Sequence, residues 1–567
     1  MEAGMQHDLI IRGGSIVDGS GRQRYGGDVA VKNGRITLVG KVEGEAAQTI
    51  DAAGRIVCPG FVDPHTHYDA QLSWDTQLVS SSEHGVTTVV MGNCGIGIAP
   101  CRPADRAALI QDLVNVEGMS QEVLEAGVQW QWESFPEYLH FAGTRACTIN
   151  RAFLVPLAPL RNYAIGPEAS ERAATAEETE RIAGLLREAM LAGASGFSST
   201  NNRSHIGFKG KPLSARLTSR AEYGAYCKVL RDLGRGTIQI ALVNEFGKIS
   251  DSEYELLDFL LTESGRPITF GSLLNNPSNP NGCRDLLDKA DPLLKRRSAP
   301  QMLIRSMWRE FSLHQPYPMS DIEVIGRRVF NRTRQEQKDA FADPVFRAQF
   351  RAELDKGRRF SGHPPRVVVC KVENRALQPY ETKTVAEIAA MRKVDPVDAM
   401  FDIAVEDDLN TMFAYERAND DRQQIADMLR DSRSLIGLSD GGAHVDMLYE
   451  AGYTTYLLSH WVRDKQVLSL ERAIHRITTE PADYFGLSDR GRLAPGAAAD
   501  IVVFDEAKIG SDERGSFVYD LPTGAGRLHA KSRGIDCVLV NGVTTWRDGQ
   551  PSGALPGKIV GALPDVR

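Results

Sequence analysis

What the sequence lacks narrows its class before any motif is weighed. No stretch is apolar enough to span a bilayer, and Met1-Glu2-Ala3-Gly4-Met5-Gln6-His7-Asp8 has no basic region leading into an apolar run. No membrane partner is expected, and the predicted location is cytoplasmic. There is no basic tract, and a net charge of -8 argues against nucleic acid as the main partner. The eight cysteines include no Cys-x-x-Cys pair, which fits reduced thiols rather than a disulfide framework or a cysteine-built structural zinc site. Internal repeats and low-complexity segments are absent. Histidine is missing from one particular region: of twelve histidines, none lies between His205 and His314.

What remains, 42% hydrophobic and 25% charged residues, is the composition of a globular protein, and 567 residues are too many for one ordinary domain. Near the N-terminus, short apolar runs alternate with glycine turns: Asp8-Leu9-Ile10-Ile11-Arg12-Gly13-Gly14, then Asp28-Val29-Ala30-Val31-Lys32-Asn33-Gly34, then Arg35-Ile36-Thr37-Leu38-Val39-Gly40. The Asn33-Gly34 step predicts a tight hairpin, because both residues tolerate positive φ. The same texture returns in residues 499–505 and 536–543. Neither end has enough strands to bury a face alone, so residues 1–55 and 490–567 are expected to pair into one small β-sandwich domain.

Between those ends, apolar runs alternate with helical periodicity, the pattern of βα units. Thr175-Ala176-Glu177-Glu178 is a capping box opening a helix with Ile182, Leu185, Leu186, Ala189 and Met190 at helical spacing, and Ser219-Arg220-Ala221-Glu222 repeats the device. Strands are predicted over 56–62, 86–93, 147–155, 194–199, 237–243, 267–274, about 300–307 and 434–439, and eight such strands across residues 56–489 predict a TIM-like (β/α)8 barrel of the α/β class. Residues 276–375 are rich in Pro, Asn, Arg and charge, and they are too many for an ordinary loop. They are expected to form an insertion, or lid, near the barrel mouth.

Chemistry-bearing residues cluster at the predicted strand ends, where barrels of this kind place their sites. Alternation sends His65 and His67 to one side of the chain and Thr66 to the other, so both imidazoles can reach one metal ion. Asp440 follows Leu435-Ile436-Gly437-Leu438-Ser439 and faces the same mouth; an Asx turn or helix N-cap is the plainer role for an aspartate there. Cys94 lies at another strand end between Asn93 and Gly95, although a buried cysteine is usually a small hydrophobe. Glu245 is a candidate ligand or base, with a solvated loop glutamate as the alternative. His205, beyond the fourth strand, and His444, after Gly441-Gly442-Ala443, are candidates for contact with substrate or support of the ligands.

The motifs Gly60-Phe61-Val62-Asp63-Pro64-His65-Thr66-His67, Gly85-Val86-Thr87-Thr88-Val89-Val90-Met91-Gly92-Asn93-Cys94-Gly95, Gly437-Leu438-Ser439-Asp440-Gly441-Gly442 and Gly496-Ala497-Ala498-Ala499-Asp500-Ile501-Val502-Val503-Phe504 resemble the amidohydrolase superfamily. Within it the chain is most similar to N-acyl-D-amino-acid deacylases, over nearly its whole length and in the same order. The resemblance implies that His65, His67, Asp440 and Cys94 serve a metal. It also exposes departures. Where relatives carry a strand-five and a strand-six histidine this chain has Ala241 and Ser272, and a further family histidine is replaced by Leu157, although Arg161 at the end of that motif is kept as a candidate substrate or supporting residue.

The implied activity is metal-dependent hydrolysis of the amide C-N bond of an N-acyl amino acid, D or otherwise, or of a related small amide. One divalent ion per chain is expected, zinc being the default for a histidine-rich site. Asp440 would shuttle the proton from water to the leaving amine. The rival readings are a hydrolase of a cyclic amide, carbamate or ester, and a metal-free barrel that only binds a ligand. The partner in either case is a small molecule, and a homo-oligomer stays open.

Overall fold

The computed structural model describes residues 7–276, 279–314, 316–319, 322–330, 332–355, 364–445, 450–512 and 515–561. They divide into two compact units, one made of residues 1–305 with 423–567 and the other of residues 306–422.

In the first unit, a nine-stranded sheet draws on both chain ends. Its order runs Gln550–Pro551, Val543–Arg547, Ile535–Val540, Ile501–Phe504, Ile56–Pro59, His7–Ile16, Tyr25–Lys32, Arg35–Gly40, with Ala46–Asp51 also on His7–Ile16. Asn33 and Gly34 turn one hairpin, both at positive φ, and Lys32 pairs with Arg35 across it. Leu9, Ile11, Val29, Val31, Val57, Ile501, Val503 and Leu539 form a common core that neither end could complete alone. Residues 1–6 and 562–567, the extremities of the two segments expected to pair, lie outside the described residues.

The run expected as one strand over 56–62 is divided at Gly60. Ile56–Pro59 pairs antiparallel with Ile501–Phe504, whereas Phe61–Asp63 pairs with Val86–Met91 and begins the barrel. A Cβ at Gly60 would lie 2.2 Å from the Thr87 hydroxyl, so the handover from sheet to barrel needs a residue without a side chain. An uninterrupted apolar run carries no sign of which partners its two halves find.

Eight parallel barrel strands follow in chain order among the described residues: Phe61–Asp63, Val86–Met91, Asn150–Phe153, Gly196–Thr200, Thr237–Ala241, Ile268–Leu273, Ser298–Met302 and Leu435–Ile436. Val155–Pro156 continues the third and pairs with the fourth, and the bridge from Thr66 to Gly441 returns the eighth to the first. Helices Ala176–Leu191, Arg220–Leu233 and Asp251–Ser264 each open with a capping box and bury one apolar stripe against the strands. All eight cysteines are free thiols. Among the described residues no helix is long and apolar enough to cross a membrane.

The second unit differs from the expected insertion at both bounds. Gly282–Leu294 and Ser298–Met302 belong to the barrel unit, and the inserted unit runs on to Arg422. Its three-stranded sheet places Met412–Ala418 between Met307–Ser312 and Val368–Lys371, a pairing over a hundred residues that composition cannot reveal. Helices pack an aromatic core on it, with Phe341 stacked on Phe401 at 5.1 Å.

Two predictions follow from the way the ends lock onto the barrel. Ile501 is fully buried between the two chain ends, and Ile501→Ala should lower stability to urea by about 2 to 5 kcal/mol. His84 is buried, with Nδ1 2.7 Å from Thr455 Oγ1 and Nε2 2.8 Å from the Ala530 carbonyl, and burial pulls its pKa down to about 4. The unfolded imidazole protonates near 6.5, so the unfolded state binds the extra proton between pH 6.5 and 4. This group's stabilisation is therefore complete above pH 6.5 and fades as pH falls towards 4, and His84→Gln should flatten that part of a stability-against-pH curve measured by urea unfolding.

Candidate metal centre

The first barrel strand ends at Asp63, and His65 and His67 stand just beyond it. Thr66 turns the other way, its hydroxyl donating to the Val90 carbonyl at 2.8 Å. The imidazoles therefore share a side, with ring centroids 5.3 Å apart. The eighth strand supports them from behind: the His67 amide donates to the Gly441 carbonyl at 2.7 Å, and Ser439 Oγ lies 2.6 Å from Asp63 Oδ2 and 2.9 Å from the His65 carbonyl oxygen. Gly442, at φ +94°, could carry no Cβ there, because it would sit 2.8 Å from the His67 carbonyl carbon.

Each ring is aimed differently. His65 Nδ1 meets Gln301 Oε1, on the seventh strand, at 2.7 Å. An amide oxygen only accepts, so Nδ1 carries the proton and Nε2 keeps a lone pair for a metal. That nitrogen faces Asp440 Oδ1 at 3.2 Å and Cys94 Sγ at 3.4 Å. His67 Nε2 lies 3.9 Å from the same Asp440 oxygen, and its Nδ1 lies 3.6 Å from Glu117 Oε1.

Cys94 sits in the turn after the second strand with φ at 56°. Its amide donates to Gln239 Oε1 on the fifth strand at 2.6 Å, and the Gly95 amide donates to Ser198 Oγ on the fourth at 2.9 Å. These anchors hold a left-handed backbone that a cysteine would not adopt freely. Ligand atoms of His65, His67 and Cys94 all fall within 4.8 Å of one another.

The electrostatics of the group ask for a cation. Burial, then the carboxylates of Glu117 and Asp440, push the Cys94 thiol well up. Burial raises Asp440, with His65 opposing, and lifts Glu117 well above the carboxylate range with help from Asp440 and Asp69. His67 is held well below the usual imidazole range by burial and then by His65, His444 and His205. Among the described residues, the ion-pair partners of Asp440 and Glu117 are histidines, with no lysine or arginine beside them. Two neutral imidazoles, a thiol and carboxylates without a counter-ion are a donor set that a divalent ion fits.

The structure brings together His65, His67, Cys94 and Asp440, with His444 Nε2 4.0 Å from Glu117 Oε2. His205, its Nδ1 2.9 Å from Thr200 Oγ1 at the end of the fourth strand, is close enough to influence both imidazoles. Two candidates lie elsewhere. Glu245 is 57% exposed and paired with Lys248 at 3.1 Å, because the chain past Ala241 has left the barrel rim for a surface turn. Arg161 is fully buried, ion-paired with Glu222 and donating to the Arg172 carbonyl at 2.9 Å, so it fastens helices rather than facing the site. Leu157 is buried at the start of the next helix, and Ala241 and Ser272 occupy the ends of the fifth and sixth strands.

Three residues of the centre escaped the sequence reading. Gln239 and Gln301 are polar side chains inside otherwise apolar strands, a signal that was available. Glu117 is the last residue of helix Arg106–Glu117 in the long excursion after the second strand, and no motif marks it. Beside the centre lies an apolar cavity of about 190 Å³, lined by Trp74, Met119, Val123, Leu124, Val445 and Leu521, with Gly442 in its wall.

The chain matches the amidohydrolase family over residues 48–551. It is 27% identical to the D-aminoacylase of Alcaligenes xylosoxydans xylosoxydans, covering 98% of this chain and 97% of that protein. It is 28% identical to the N-acyl-D-glutamate deacylase of the same organism, covering 98% and 96%. Among solved structures, the N-acyl-D-glutamate deacylase from Bordetella bronchiseptica, complexed with zinc and a phosphonate mimic of the tetrahedral intermediate, is similar with a TM-score of 0.66 at 25% identity, covering 98% of this chain and 99% of that one.

Removing the group that orients a ligating imidazole typically weakens metal binding about 10- to 100-fold. Gln301→Leu should do so here, read by competition with a chelator of known affinity, while unaltered binding would show that His65 is not a ligand through Nε2.

Proposed function

The chain belongs to the amidohydrolase family, and from that premise we propose that it hydrolyses the amide C-N bond of an N-acyl amino acid of D configuration. One divalent ion, zinc by default, is held by His65, His67 and Cys94, with Asp440 at its edge. The observation that carries this reading is the convergence of those three ligands within 4.8 Å, with the Asp440 carboxylate 3.2 Å from His65. Whole-length similarity to a D-aminoacylase and to an N-acyl-D-glutamate deacylase supports the choice of bond.

Bound there, the ion supplies Lewis-acid polarisation of the scissile carbonyl and lowers the pKa of water to roughly 7. Asp440 is the base. Burial lifts its carboxylate above the ordinary range, which makes it a better proton acceptor than a solvated aspartate. It takes the proton of the attacking water and returns it to the leaving nitrogen. Its position, nearer to His65 than to His67, keeps it beside the site without making it a tight ligand. His444 and His205 stand where they can meet substrate. The apolar cavity bounded by Trp74, Met119 and Leu521 takes an apolar group of the substrate, since among the described residues no charged side chain lines it.

Asp440→Asn should keep most of the metal yet lose hydrolysis by about 100- to 10,000-fold. Wild-type protein should contain close to one equivalent of metal by elemental analysis and lose activity to chelator. Hydrolysis that survives exhaustive chelation would refute the mechanism. On a panel of N-acyl-D-amino acids, substrates with apolar side chains or acyl groups should exceed acidic ones in kcat/KM, and preference for acidic side chains would count against the cavity assignment.

A further inference from the structure

Buried glutamates in this protein normally have evident partners. Glu222 closes the capping box of its helix and pairs with Arg161, and Glu253 accepts the amides of Ser250 and Asn244 at 2.7 and 3.0 Å. Glu117 is different. Its side chain is 5% exposed, yet no hydrogen bond reaches its carboxylate among the described residues, and no lysine or arginine accompanies it. It is nevertheless held firmly in place. It is the last residue of helix Arg106–Glu117, Gly118 turns the chain out at φ 62°, and its carbonyl accepts the His444 amide at 2.7 Å.

Two imidazoles bound this carboxylate. Glu117 Oε1 lies 3.6 Å from His67 Nδ1, and Oε2 lies 4.0 Å from His444 Nε2. His67 Nδ1 is itself buried and makes no hydrogen bond to any described residue. A buried ring nitrogen lacking an acceptor thus faces a buried carboxylate lacking a donor, and the gap is a few tenths of an ångström above hydrogen-bond length. The opposite edge of the same ring, Nε2, points to the Asp440 side of the centre at 3.9 Å. His65 already has an orienting acceptor in Gln301, whereas His67 has none unless it is Glu117.

We propose that Glu117 is the positioning residue of the metal centre. Its carboxylate accepts the Nδ1–H of His67, fixes that tautomer and directs the Nε2 lone pair to the ion, and its negative charge helps retain the ion in a site where the fifth and sixth strands end in Ala241 and near Ser272, which offer no imidazole. This role rests on the placement of the ion argued above. It also accounts for a buried carboxyl group that no hydrogen bond reaches among the described residues.

The test is zinc affinity, by competition with a calibrated chelator, for wild type, Glu117→Gln and Glu117→Leu, together with thermal melting of each protein with and without zinc. Glutamine retains an acceptor oxygen but no charge, so affinity should fall in the order Glu, Gln, Leu, by about 10- to 100-fold overall. The metal-free melting temperature should stay level or rise in both variants, because a buried unpaired carboxylate has been removed. Affinity within twofold of wild type in both variants would overturn the inference, as would a metal-free melting temperature lowered in both, which marks a structural role. His67→Ala separates the two levels of the argument. If it loses zinc while the Glu117 variants bind normally, only the role of Glu117 fails; if it keeps zinc, the placement of the ion fails and this inference with it.

Discussion

The seam between the first and eighth barrel strands is the contact on which the site depends. The bridge from Thr66 to Gly441, the His67 amide on the Gly441 carbonyl and Ser439 between Asp63 and the His65 carbonyl join segments some 375 residues apart in sequence. Closing the barrel and assembling the centre are one event, because the same few residues do both. Asp63 contributes from below. Its pKa is raised to about 7 by burial, with Ser439 and the His65 amide opposing, so it serves the rim as a shared hydrogen-bonding group.

A second constraint comes from charge. Cys94, Asp440 and Glu117 are all pushed towards their protonated forms and the two imidazoles towards neutrality, so the group as folded is short of positive charge. A bound divalent ion would draw the thiol and the carboxyls to their deprotonated forms and keep the imidazoles neutral. The barrel strands also aim the centre's residues: the fifth offers Gln239 to the Cys94 turn, and the seventh offers Gln301 to His65.

The domain built from the two chain ends matters to the site through Gly60. The chain passes from Ile56–Pro59, locked against Ile501–Phe504, straight into Phe61–Asp63, and the first imidazole follows two residues later. The Gly60 amide on the Asp500 carbonyl at 2.8 Å and the Phe61 amide on the Gly85 carbonyl at 3.0 Å define that passage. Asp500, buried and bonded to Arg490 and to Asn150 of the third strand, ties the same corner to the barrel.

Much of this was legible in the sequence because it is local. Alternation placed His65 and His67 on one side, Asn33-Gly34 announced its hairpin, and capping boxes marked the helices, since each depends on residues within a turn or two of one another. The absence of histidine from residues 206–313 likewise sufficed to exclude a strand-five and strand-six pair. Tertiary structure alone decided the rest. Glu245 and Arg161 carry the right chemistry, but backbone direction and a buried partner took them elsewhere; Glu117 carries no motif, and only the packing of its helix end against the loop of His444 aims it at His67. The bounds of the inserted unit also followed from a strand pairing across a hundred residues. Sequence fixes which groups a short segment presents, whereas which groups meet depends on contacts whose energies are shared among residues far apart in the chain.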